Sequence, residues 1–178
     1  MAALNPLLRE LMQAHRKARQ PEILAALRAC DIDINTGPVW GVDHVQADAH
    51  HYAPAHDGKP AIIVPYIVDG ALLDLVAAGL TTRSSRTRRG VCTVLGGAWL
   101  DHARINETPA TIFPDPIEWL RNGRCGAVIV DWRSARYELA DLPGIACSNS
   151  LLANRVDKAL REPVHVPPLF VREARHAA

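Results

Sequence analysis

The chain is short of aromatic residues, which make up 5% of its 178 positions, and it has only 4 cysteines. Cys30, Cys92, Cys125 and Cys147 stand far apart with no C-x-x-C pair, which argues against a zinc knuckle and a disulfide scaffold. Lysine is nearly absent: Lys17, Lys59 and Lys158 are three of the 20 basic residues, and the rest are arginine. Codon bias in a GC-rich bacterial genome would produce such a skew, so arginine content alone points to no function. No apolar run approaches the roughly 18 residues that a membrane span needs, so no membrane partner is expected. The N-terminus MAALNPLLRELMQAHRKARQ lacks the unbroken apolar stretch of a secretory signal, because Arg9 and Glu10 interrupt it. The expected compartment is a reduced cytoplasm. A net charge of +1 removes the simplest argument for a uniformly basic binder of nucleic acid.

What is present suits one globular domain with a small appendage, since 48% of residues are hydrophobic and 22% charged. Residues 4–19 carry Leu4, Leu7, Leu8, Leu11 and Met12 at helical spacing, with Asn5-Pro6 as cap and first turn. Pro21 opens a second short helix with Ile23, Leu24, Leu27 and Cys30 on one face. A division follows into an N-terminal helical hairpin over 1–36 and an α/β domain over 37–178. Asp57-Gly58 stands between a loosely alternating stretch (44–55) and the apolar run AIIVPYIV (61–68). That pattern predicts a β-hairpin at the sheet edge. Beyond it the spacing predicts a helix over 70–80, then strands at 91–97, 127–132 and 144–148 alternating with helices. The fold class expected is α/β, a mostly parallel central sheet flanked by helices. The tail from 162 to 178 reads as one more strand or a surface wrap.

Ligands of such sheets sit beyond the carboxyl ends of the strands, which singles out Asp69, Gly96, Gly97, Asp131 and Arg133. The succession VPYIVDGALLDLVAAG, VCTVLGGAWL and AVIVDWRSA resembles the Toprim (topoisomerase–primase) domain of primases and mobile-element or plasmid replication proteins, over about residues 61–162. That family ends one strand in Glu-Gly with an Asp four residues after the Glu, a second in a glycine-rich turn, and a third in Asp-x-Asp. Here Asp69 replaces the Glu, Asp74 lies five residues on, and Arg133 takes the second aspartate position. Asp131 and the Gly96-Gly97 turn match. A guanidinium where a magnesium ligand belongs inverts the local charge, so the resemblance implies a degenerate domain without metal chemistry. The plain alternative is an α/β domain whose Asp69 and Asp131 cap the helices that follow.

Two further constellations carry chemistry. TTRSSRTRRG places Arg83, Arg86, Arg88 and Arg89 within seven residues, and no acid occurs in the 26 positions between Asp74 and Asp101. Guanidinium forks among hydroxyls suit phosphate oxygens, whereas a solvated loop paired with acids elsewhere is the plain alternative. GVDHVQADAHHYAPAHD holds His44, His50, His51 and His56 with Asp48 among them. Imidazole plus carboxylate suits zinc, iron or manganese, and carboxylates such as Asp69 or Asp131 suit magnesium, though the spacing matches no metal signature. Three functions follow. The leading one is a non-catalytic, nucleic-acid-associated module contacting phosphates through the Arg83–Arg89 loop, without a cofactor. The second is a metal-dependent hydrolase or nuclease using the His/Asp segment. The third is a factor docking on a protein partner through helix 4–19.

Overall fold

A computed structural model describes residues 5–32 and 40–162; Leu4, the 33–39 junction and the tail from 163 onward lie outside the described residues. Two helices open the chain. In α1 (Pro6–Ala18) the Asn5 side chain accepts from the Leu7 N–H at 3.1 Å and Pro6 takes the first turn, where its missing N–H costs nothing. Helix α2 (Pro21–Ala29) starts on Pro21 in the same way.

The mostly parallel central sheet is not what the chain forms. Strands β1 (Gly41–Ala47), β2 (Tyr52–Pro54), β3 (Lys59–Val68), β4 (Ala71–Gly79) and β5 (Ser85–Thr87) make an antiparallel sheet in the order β2-β1-β3-β4-β5. The sheet curls into a half-barrel whose edges meet at one point: His51, just before β2, bridges Thr87, the last residue of β5.

The helix expected over 70–80 is strand β4, and the reason is turn chemistry. Val68 pairs with Ala71 across Asp69 and Gly70, whose φ values are +49° and +76°, the backbone of a two-residue hairpin turn. Residues 74–78 are buried on both faces of the sheet, so ALLDLVAAG shows no period of two and reads as helix from its Ala and Leu content. The same signal at Asp57-Gly58 makes no hairpin. There β2 and β3 flank opposite edges of β1, and the edge hairpin is β1–β2, turned by Asp48–His51.

The second sheet is small and mixed. Strand β6 (Val94–Leu95) runs antiparallel to β8 (Ala127–Ile129), while β7 (Ala110–Phe113) is parallel to both β8 and β9 (Ile145–Cys147). Its strands alternate with α3 (Gly97–Ile105), α4 (Pro116–Arg121), α5 (Ala135–Leu139) and α6 (Ser150–Arg161). Among the described residues, parallel ladders are therefore confined to three short strands, β7, β8 and β9.

Alternate residues of β3 and β4 serve two cores. Ala61, Ile63, Leu75 and Ala77 pack with Leu7, Leu11 and Ala14 of α1. Ile62, Val64, Val76 and Ala78 pack with Leu27, Trp40, Ile117 and Val128, joining the sheet to α2, α4 and β8. Helix α1 presses close: a Cβ on Gly41 would lie 2.2 Å from the Ala14 carbonyl carbon. The apolar stripe of the expected docking helix is thus buried within the chain, leaving Leu8 and Met12 each 39% exposed. No helix among the described residues is long and apolar enough to cross a membrane.

Candidate functional site

The structure gathers part of the basic loop at a cleft of about 490 Å³ between the curled sheet and the second sheet. The β1–β2 turn brings His50 and His51, because the Asp48 carboxylate accepts both of their backbone N–H groups at 2.7 and 2.6 Å. Those two bonds, His51 first, hold the Asp48 pKa below its usual range. Strand β5 brings Arg86, the segment after it brings Arg89, the loop between β8 and α5 brings Asp131 and Arg133, and α6 brings Arg155.

Arg89 is placed by a buried carboxylate. Asp74 is fully buried on β4, and its Oδ1 accepts the backbone N–H groups of Arg88 and Arg89 at 3.1 and 2.9 Å. Its Oδ2 accepts those of Val91 and Cys92 at 2.8 and 3.1 Å. The charge is compensated by converging amides instead of by a cation. This pins residues 88–92, the crossing from the half-barrel to the second sheet.

The four arginines of the loop do not act together. Arg83 lies 3.5 Å from Asp115 and 3.9 Å from Glu118, and Arg88 pairs with Glu10 of α1 at 3.0 Å. Glu10 also accepts the Tyr52 hydroxyl at 2.8 Å, so Arg88 belongs to the seam between α1 and the sheet. Arg86 is held by neutral carbonyls, donating from Nε to Asp48 O at 2.9 Å and from Nη1 to Ser85 O at 2.7 Å. Arg89 is exposed and has no carboxylate within 4.0 Å among the described residues.

The far wall carries residues that the strand-end argument reached in part. Arg133 grips Asp131 through two bonds, Nε to Oδ1 at 3.0 Å and Nη2 to Oδ2 at 2.8 Å, and its backbone N–H adds a third at 3.0 Å. The guanidinium, then the backbone N–H, lower the Asp131 pKa against the opposing effect of burial. Both carboxylate oxygens are engaged, which leaves them poorly disposed to a divalent cation. Arg155 stacks on Trp132 at 3.9 Å from the ring centroid, a cation–π contact, and burial lowers its pKa from the usual arginine value. Nothing in the spacing of α6 marks Arg155, and Trp132 reads from sequence as packing. Among the described residues, four guanidiniums thus line a cleft with one carboxylate, Asp131, which Arg133 already faces.

The other expected site residues lie elsewhere. Asp69, Gly96 and Gly97 line a separate groove of about 630 Å³, beside Tyr66 and Trp99. Asp69 is there as a turn residue, and Gly96 takes φ +77° to start α3, with no room for a Cβ, which would fall 2.2 Å from Gly126 O. The histidines divide: His50 and His51 line the basic cleft, whereas His44 and His56 line a third groove with Lys17 and Asp43. Among the described residues no three His, Cys, Asp or Glu side chains come together as a metal site. The chain matches no protein-family model, no curated protein and no solved structure.

Proposed function

We propose that this chain is a non-catalytic module that binds the phosphate backbone of nucleic acid in the cleft between its two sheets. The observation that carries the reading is the convergence of Arg86, Arg89, Arg133 and Arg155, from three separate parts of the chain, on a cleft whose single carboxylate among the described residues is already paired. Arg89 and Arg155 have no carboxylate partner among the described residues, and Arg86 is oriented by carbonyls that leave its charge uncancelled. Such guanidiniums favour phosphate oxygens. A net charge of +1 is compatible with this role, because binding depends on where the charges stand.

A salt titration of binding to labelled mixed-sequence DNA and RNA tests the proposal. Two to four phosphate contacts correspond to a log–log slope of about −1.8 to −3.6 on duplex DNA, or a roughly 12- to 150-fold loss of affinity between about 50 and 200 mM salt. Arg89→Ala and Arg155→Ala should each reduce the slope by about 0.7–0.9. Arg83→Ala and Arg88→Ala should leave it unchanged, since those side chains are committed to Asp115, Glu118 and Glu10. Absence of binding at about 25 mM salt, or an Arg89/Arg155 double variant that binds like the wild type, would refute the proposal.

A further inference from the structure

We propose that the open end of the half-barrel is a pocket for a phosphate monoester carried on a hydroxyl-bearing body. The proposal is independent of the nucleic-acid reading and shares only Arg86 with the cleft described above.

The pocket, about 420 Å³, is lined by β1, β3, β4 and β5, four consecutive strands of the curled sheet. Its room comes from side-chain size. On that face Ile63 and Leu75 fill the interior beneath α1, while Ala61, Ala77 and Gly79 stand toward the mouth. The register places these positions together, with Ala61 opposite Gly79 and Ala77 opposite Arg86. A Cβ on Gly79 would lie 2.3 Å from Thr82 Oγ1, so the strand end cannot grow without displacing the rim. The volume is at the small end of the roughly 300–1,000 Å³ typical of small-molecule sites, and barrel mouths are a common place for them.

The charges select the ligand. Lys59 and Arg86 both line the pocket, and neither has a carboxylate within 4.0 Å among the described residues. Arg86 is pre-oriented by its bonds to Asp48 O and Ser85 O, across the gap between β5 and the β1–β2 turn. Thr82 and Ser84 place hydroxyls 2.9 Å apart on the rim, adding donors for an oxyanion. Of the two carboxylates present, Asp48 is engaged by the His50 and His51 N–H groups. The other, Asp57, stands exposed on the rim, where it opposes a bare polyanion and accepts hydroxyls of the ligand body. Phosphate at Lys59 and Arg86 with hydroxyls toward Asp57 is met by the phosphate and ribose of a nucleoside monophosphate, or of the 5′-terminal nucleotide of a strand.

Calorimetric titration of the full chain with adenosine 5′-monophosphate, adenosine and inorganic phosphate tests this. The monophosphate should bind at least about tenfold more tightly than either of the others, and Lys59→Ala should weaken it at least about tenfold. Ala77→Leu, which fills the mouth, should abolish binding; because Lys59 is exposed, its variant keeps the test decisive should Ala77→Leu fail to fold. Equal or absent binding of monophosphate and adenosine, or no effect of Lys59→Ala, would overturn the proposal. A 5′-phosphorylated against a 5′-hydroxyl octanucleotide then separates the sources. A gain from the 5′-phosphate that Lys59→Ala removes identifies a strand end, and monophosphate binding without that gain identifies a free nucleotide. Retained salt-dependent oligonucleotide binding alongside no monophosphate binding would sink the pocket alone, leaving the cleft intact.

Discussion

Removing the Asp74 carboxylate gives a sharp test of how the crossing between the two sheets is held. Five backbone N–H groups point at it, from Leu75, Arg88, Arg89, Val91 and Cys92, at 2.8 to 3.1 Å. Arg88 has a second acceptor, Leu75 O at 2.8 Å, so Asp74→Ala leaves the Arg89, Val91 and Cys92 amides of the crossing without their acceptor. An orphaned buried donor costs about 1–3 kcal/mol, more for bonds to a charged group. The same change relieves the cost of burying a carboxylate, which offsets part of the loss. A net destabilisation of about 3–5 kcal/mol is expected, and at about 2–4 °C per kcal/mol for a chain of this size the melting temperature falls by roughly 6–20 °C. Asp74→Asn should be intermediate, since its amide keeps one acceptor oxygen and turns donors toward the other pair of N–H groups. Calorimetry gives the melting temperature, and hydrogen exchange reads the amides of Arg89, Val91 and Cys92 one by one. An Asp74→Ala protein melting within about 3 °C of wild type, with those amides equally protected, would refute the account.

Two other outcomes follow from local geometry. Gly70→Ala and Gly96→Ala both put alanine at positive φ, but a Cβ on Gly70 meets nothing within 4 Å whereas one on Gly96 strikes Gly126 O. The first should lose about 1–2 kcal/mol from the backbone alone and the second clearly more, so equal melting temperatures would contradict the packing described. Arg133→Ala should raise the Asp131 pKa toward the ordinary 3.8, followed by carboxyl NMR. A depressed folded pKa stabilises above the unfolded value and loses that contribution as pH falls through the folded one, so the variant should lose less stability than wild type below about pH 4. An unmoved Asp131 titration would show that the guanidinium is not what lowers it.

Local sequence chemistry was sufficient for the proline-capped helices and misled over 70–80 and on the sheet. Asn5-Pro6 and Asp115-Pro116 carry cap and first turn within two adjacent residues, and the caps form there. From residue 94 onward short strands and helices alternate as the pattern suggests, because each covers only a few residues of local preference. The stretch 70–80 could not be read the same way. Burial on both faces erases the alternation that marks a strand, and Ala and Leu are as much at home in a helix. Asp69-Gly70 held the turn signal, and only pairing with β3 decided between it and Asp57-Gly58. The candidate site divides likewise. Arg86, Arg89, Asp131 and Arg133 stood out from composition and strand-end position, yet which arginines face the cleft was settled by partners far away in the chain. Glu10, 78 residues before Arg88, takes one of them, and Asp115 and Glu118 take another. Charge is written residue by residue, but pairing depends on distance in space, and that exists only once the two sheets and α1 have packed.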